Sequence, residues 1–242
     1  MKLQYVETSN HARFMAGVGA VENRGSREAC ILLLNGEPGT GKSCTVDNWG
    51  SKRNAVYLEG MPGMSSAFVR DYLADQTGVV ATSKFAQYKE LVSHFQESRQ
   101  PIILDEAHHG LPNKAECIEY LRRIAEQANV ILVLVCHSSE RHRFGKSHVA
   151  HIATRITAAP ELKEASEADC GVYLNTLCEV AVDAGIVKAV HSQTGGRYRL
   201  ISNACRTLEA IAQKKGATAL AAADVKGVRL CEDAMAALRK GA

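Results

Sequence analysis

Cys30-Ile-Leu-Leu-Leu-Asn-Gly36-Glu-Pro-Gly39-Thr-Gly41-Lys42-Ser43 is an apolar run that opens into a glycine-rich loop ending in lysine and serine. Cys30–Leu34 reads as a buried strand and Ser43–Trp49 as the helix that follows. The loop between them matches G-x-x-x-x-G-K-[ST] at every fixed position, in the strand–loop–helix setting the mechanism needs. Its glycines let backbone N–H groups turn inward around a polyphosphate, and the helix N-terminus adds its dipole. Lys42 is placed to reach the outer phosphates, and the Ser43 hydroxyl to ligate Mg²⁺. Gly36, Glu37, Pro38, Gly39, Thr40, Gly41, Lys42, Ser43 and Cys44 therefore form the expected nucleotide-binding set, with ATP and Mg²⁺ as cofactors.

A second apolar strand, Ile102–Leu104, runs straight into Asp105-Glu106. In P-loop proteins a carboxylate at this strand end holds Mg²⁺, which assigns Asp105 to the metal. A carboxylate directly after it can polarise an attacking water, which assigns Glu106 as the catalytic base. Between the loop and this pair lie a strand, Ala55–Leu58, and two helices, Ala67–Gln76 and Lys84–Glu97. That spacing suits the P-loop class with a strand inserted between the two motif strands. The acidic pair argues against a small-molecule kinase. Asp105-Glu-Ala-His108 also spells a helicase box, but such helicases need two lobes and 242 residues hold one.

Ala115–Gln127 reads as a helix and Val130–Val135 as the fourth strand. Strands alternating with helices predict an α/β domain with a parallel sheet. Past Pro160 no β-rich run is visible. A capping box at Ser166/Asp169 starts a helix expected to run to about Asp183, with Gly185 as its stop. Gly195-Gly196 breaks the next segment. A helix from about Arg197 to Lys215 ends at Gly216, and a last one is expected over Leu220–Leu238. The expected domains are thus 1–159, α/β, and 160–242, all helical.

The fourth strand ends in Cys136-His137-Ser138, and a polar group there faces the γ-phosphate crevice. His137 is the residue placed to hold the lytic water. The next segment, Glu140 to Arg155, carries Arg141, Arg143, Lys146 and Arg155 against one glutamate. Two readings fit it: a patch for the DNA backbone, and an arginine finger for a neighbouring subunit's nucleotide. Further on, Gly195-Gly-Arg197-Tyr-Arg199-Leu200 opens a helix from which Arg199 could fold over the phosphates and report their state. Arg197 is expected to face solvent.

Composition bounds the rest. Net charge is +3, so nucleic-acid contact must come from a local patch. The longest fully apolar run, Val130–Cys136, falls far short of the ~20 residues of a membrane span. The first residues lack the apolar stretch of a signal peptide. Eight scattered cysteines with no C-x-x-C pair disfavour zinc and disulfides and predict buried free thiols. A soluble protein of a reducing cytoplasm, with no membrane partner, is the expectation.

The order of these features resembles the AAA+ ATPases, and within them the transposition protein B family of Mu-like phages. Glu7-Thr-x-Asn10 with Arg13, Ile103-Leu-Asp-Glu-Ala-His108, Leu132-Val-Leu-Val135 and Ala153-Thr-Arg155-Ile156 carry the finer likeness. The resemblance implies a five-stranded parallel AAA+ sheet with helices on both faces, followed by a small all-α lid. It implies Arg155 as a finger given in trans, His137 as first sensor and Arg199 as second. It implies a bacterial host cytoplasm, ATP-dependent self-assembly into filaments on double-stranded DNA, and a transposase as partner. Two departures stand out: His137 replaces the commoner asparagine, and only about thirty residues precede the first strand. DNA contact would then fall to basic loops, with Arg70, Lys84, Lys114 and Arg141 as candidates. Aromatic residues are only 5%, so phosphate contact is expected to outweigh base stacking. Two other readings stay open: another AAA+ machine, of the replication-loader or secretion type, and an ATP-gated scaffold that hydrolyses poorly.

Overall fold

The computed structural model describes residues 1–232. Its contacts divide the chain into two units. One comprises Arg13–Glu37 and Lys42–Leu162. The other comprises Met1–Ala12, Pro38–Gly41 and the chain from Lys163.

The elements up to residue 162 are α1 (Ser9–Glu22), β1 (Ile31–Gly36), α2 (Lys42–Ser51), β2 (Val56–Glu59), α3 (Ser66–Thr77), α4 (Lys84–Ser98), β3 (Ile102–Asp105), α5 (Pro112–Ala128), β4 (Leu132–His137), α6 (Ala150–Ala153), β5 (Ile156–Ala158) and β6 (Glu161–Leu162). The strands form one parallel sheet in the order β2-β3-β4-β1-β5. The two-residue β6 adds a sixth strand beyond the five expected, pairing β1 at Asn35 and Gly36.

Because successive side chains point to opposite faces, each central strand feeds two cores. Ile31 and Leu33, Ile102 and Leu104, and Leu132 and Leu134 face the helices α3, α4 and α5, meeting Leu73, Phe95 and Leu121. Leu32 and Leu34, Ile103, and Val133 and Val135 face α1 and α2, meeting Phe14, Val18 and Trp49. Burial on both faces explains why these strands read as unbroken apolar runs. The observed strands end one or two residues later than predicted, because ladder bonds carry the last polar residues into the sheet. In α5, Asn113, Lys114 and Ala115 have φ of 52°, 58° and 60°, so its regular turns begin after Ala115.

The second unit holds α7 (Glu167–Leu177), β7 (Ala181–Val182), α8 (Ala184–Thr194), α9 (Tyr198–Lys215) and β8 (Ala219–Leu220). Its core gathers Leu174, Leu177, Ile186, Val190, Ile201 and Leu208, together with Val6. Four expectations need correction here. The capping box at Ser166 and Asp169 forms, but its helix stops at Leu177 rather than Asp183. Asp183 instead caps the next helix, accepting from Ile186 N–H at 2.8 Å. Gly185 stops nothing: it lies inside α8, where a Cβ would stand 2.6 Å from Ala222 Cβ. The unit is also not all helical, since β7 and β8 pair in parallel (Ala181↔Ala219). Finally, residues 220–232 form no α-helix: β8 is followed by a 3₁₀ turn at Ala222–Val225. The rest of the helix expected to Leu238 lies outside the described residues.

Seven of the eight cysteines are buried, as their scatter predicted; Cys44 is the exposed one. No described helix is long and apolar enough to cross a membrane.

Candidate nucleotide site

In the α/β unit the predicted chemistry gathers at the C-terminal edge of the sheet. Lys42 opens α2, and its Nζ donates to the carbonyls of Gly36 at 2.8 Å and Glu37 at 3.1 Å. Burial lowers the Lys42 pKa, while Glu106 and Asp105 pull the other way. That opposition shows both carboxylates within electrostatic reach of the ammonium. Ser43 and Cys44 are exposed on the first turn of α2.

Asp105 ends β3 and is 6% exposed. One carboxylate oxygen accepts from the Glu106 N–H at 2.8 Å, and the other from the Tyr57 hydroxyl at 2.6 Å. Burial, then the bond to Asp105, pushes the Tyr57 phenol well above its ordinary pKa, so it stays a neutral donor. Tyr57 in turn is anchored by Tyr72, whose hydroxyl donates to its carbonyl at 2.8 Å. Glu106 takes the left-handed conformation, φ 48°, ψ 41°, which costs a non-glycine residue about 1 kcal/mol or more. Its side chain is exposed, with Oε2 3.4 Å from His108 Nδ1. Burial, then neighbouring His109, lowers the His108 pKa, which favours a neutral ring. Gly60 allows this bend: its N–H donates to Asp105 O at 2.8 Å, and a Cβ there would lie 2.6 Å from Glu106 O.

His137 sits opposite Gly36 in the β1–β4 register. Its Nε2 is 3.4 Å from a Glu37 carboxylate oxygen, and its Nδ1 lies 2.7 Å from the Ser139 hydroxyl. The Ser138 hydroxyl donates to the other oxygen of Glu37. The residue predicted to hold water is therefore tied to the loop that would hold phosphate.

The loop tip, Pro38–Gly41, belongs to the other unit. Gly39 and Gly41 have φ of 86° and 87°, a conformation open to glycine and costly for other residues. Asn10, 2% exposed, donates to Thr40 O at 3.1 Å and Lys163 O at 2.7 Å, and accepts from Lys163 N–H at 3.0 Å. Tyr198 N–H donates to Gly39 O at 2.9 Å. Arg197 does not face solvent as expected. It is half-buried, and a Cβ on Gly39 would touch its stem at 3.5 Å. Arg199 is exposed on the first turn of α9.

Arg155 lies at the opposite edge of the sheet from the loop of its own unit. Its carbonyl accepts from Ile31 N–H at the start of β1, and its guanidinium pairs with Glu28 at 2.8 Å. The four DNA candidates are dispersed. Arg70 pairs with Asp71 at 2.8 Å, Lys84 is exposed at the start of α4, Lys114 sits in the left-handed turn, and Arg141 lies 3.9 Å from Glu161. Sequence reasoning missed Tyr57 and Gly60 as supports of the acidic pair. The signal was faint: β2 pairs with β3, with Glu59 opposite Asp105.

Within the α/β unit, a helix start at Lys42 and the two carboxylates at the end of β3 suit a polyphosphate with a hard cation. Residues 25–144 match the family model described as an AAA domain. The fold matches those of P-loop AAA+ ATPases. Solved structures agree at the level of fold. The ORC2 protein of Aeropyrum pernix, in ADPNP–ADP complexes, aligns with a TM-score of 0.65 at 14% identity, over 94% of this chain and 70% of that one. Its ADP form gives 0.62 over the same shares. The RuvB Holliday junction branch migration motor of Thermotoga maritima gives 0.61 at 14% identity, over 92% and 68%. A search of curated proteins finds no significant match.

Proposed function

We propose that this AAA+ chain hydrolyses ATP and uses the cycle to grip and release double-stranded DNA as an assembly of its own copies. The observation that carries the reading is that Lys42 follows β1 and that Asp105 and Glu106 lie at the end of β3, at the same edge of one parallel sheet. Lys42 and the start of α2 bind the phosphates, and Glu106 takes a proton from the attacking water while His137 orients it. Mg²⁺, when bound, neutralises charge developing on the phosphates. Among the described residues no cluster of three acidic, histidine or cysteine side chains would hold a metal. Ser43 and Asp105 would therefore share the ion with phosphate oxygens and water, which is how Mg²⁺ prefers to bind.

Assembly is supported by the position of Arg155. β1 spans six residues, roughly 20 Å, between Arg155 and the loop of the same unit. A finger role therefore requires a second copy. DNA as partner is supported by the likeness to a Holliday junction motor and by the flanking motifs that resemble those of the transposition protein B family. In its finest form the reading is a regulator that forms filaments on target DNA and activates a transposase, in a bacterial host cytoplasm. Arg70, Lys84, Lys114, Arg141 and the sensor Arg199 take the parts assigned from sequence.

The test is retention of the protein on linear duplex DNA of mixed sequence, with ATP or ADP and Mg²⁺. ATP-dependent retention that falls steeply with salt supports the reading. Equal retention with both nucleotides, or none with either, overturns it.

A further inference from the structure

The N-terminal edge of the same sheet carries a charged cavity. It encloses about 360 Å³, within the roughly 300–1,000 Å³ of small-molecule sites. Its wall is built where α1 leads into β1, where α2 ends, and where β3 and β4 begin. Four arginines line it, Arg24, Arg27, Arg53 and Arg99, against a single carboxylate, Glu22. Glu22 is taken by Arg53 at 3.0 Å. The other guanidiniums meet only neutral groups or nothing. Arg24 donates to Val21 O at 2.9 Å and Asn129 Oδ1 at 2.6 Å, and Arg99 donates to Ala128 O at 3.2 Å.

Crowding four cations around one anion is unfavourable unless a further anion enters. Two donors of the lining residues lack acceptors. Arg24 Nε and Trp49 Nε1 are buried and have no hydrogen-bond partner, and Trp49 is 2% exposed. Buried N–H groups without acceptors are rare in a folded protein. Arginine's fork of donors matches the oxygens of a phosphate better than those of any other common biological anion except carboxylate. The neutral donors beside it favour a ligand with many acceptors in a small volume.

We propose that this cavity binds a compact phosphate-bearing small molecule, at a site separate from the glycine-rich loop. A length of sheet divides the two, since the loop follows the C-terminal end of β1 and the cavity lies at its start. A duplex is too wide to enter; only a backbone phosphate could meet the rim.

Trp49 is the only tryptophan in the chain, so its fluorescence reports this cavity directly. The experiment uses the full chain carrying Lys42→Ala, to silence the glycine-rich loop, titrated with inorganic pyrophosphate at constant ionic strength. A saturable change in Trp49 emission is expected, confirmed by calorimetry. Arg27 is exposed and has no partner among the described residues, so Arg27→Glu should keep the thermal melt. It should weaken pyrophosphate by about tenfold or more. Arg53→Gln, which leaves Glu22 free to oppose the anion, should weaken it as well. No saturable change overturns the proposal, and so does equal binding by the Arg27→Glu variant. A Trp49 response to duplex DNA but not to pyrophosphate also overturns it, making the rim a nucleic-acid contact instead.

Discussion

The two edges of one parallel sheet carry opposite chemistry. At the C-terminal edge a single lysine faces Asp105 and Glu106, with His137 tied to Glu37. At the N-terminal edge four arginines surround one glutamate, and Arg155 pairs with Glu28 close by. In the proposed function the first edge binds a phosphate chain and breaks it. The second has four arginines and one carboxylate, Glu22, already paired with Arg53, and its proposed part is to hold an anion. The difference follows from chain direction. In a parallel sheet all strands release their loops at one edge, which concentrates residues that must act together. The other edge collects helix ends and strand starts from unrelated parts of the chain.

The two edges can be separated by substitution. Lys42→Ala should abolish measurable ATP binding and turnover, a loss of about a hundredfold or more, because the half-buried ammonium has no substitute. The Trp49 response to pyrophosphate should survive it; joint loss would merge the two sites. Arg155→Ala should lower turnover by about a hundredfold in concentrated protein while the affinity of dilute protein for ATP stays within twofold. An unchanged rate would remove the finger role. Tyr57→Phe should cost about tenfold in turnover, with a higher Mg²⁺ requirement, because partners that orient a metal-holding carboxylate commonly matter by that much. A rate and Mg²⁺ titration identical to wild type would make Tyr57 a packing residue only. Arg27→Glu should leave ATP turnover within about twofold, and a large loss would show that the N-terminal edge takes part in hydrolysis.

The same contrast explains what could be read in advance. Gly36–Ser43, Asp105-Glu106 and His137 lie at strand ends in short contiguous motifs, so the C-terminal edge was legible from sequence. Arg24 with Arg27, Arg53, and Arg99 come from three separate segments, and a net charge of +3 hides them. Tyr57 was invisible for a related reason: only strand pairing brings it to Asp105. The bend at Glu106 gives no sequence signal, because glutamate has no preference for φ 48°. In the second unit, Asp183 and Gly185 misled because each has two meanings. Aspartate near a helix boundary can follow one helix or cap the next. Glycine can end a helix, or allow a close approach like that of Ala222. The strands β7 and β8 are two residues each, too short to show any period.

The central claim is that Glu106 activates water for a phosphate chain held by Lys42. It is tested most directly by measuring phosphate release and ATP affinity together for wild type and Glu106→Gln. The account predicts unchanged affinity and a rate lowered by about a hundredfold or more. Phosphate release at the wild-type rate from the variant would contradict it.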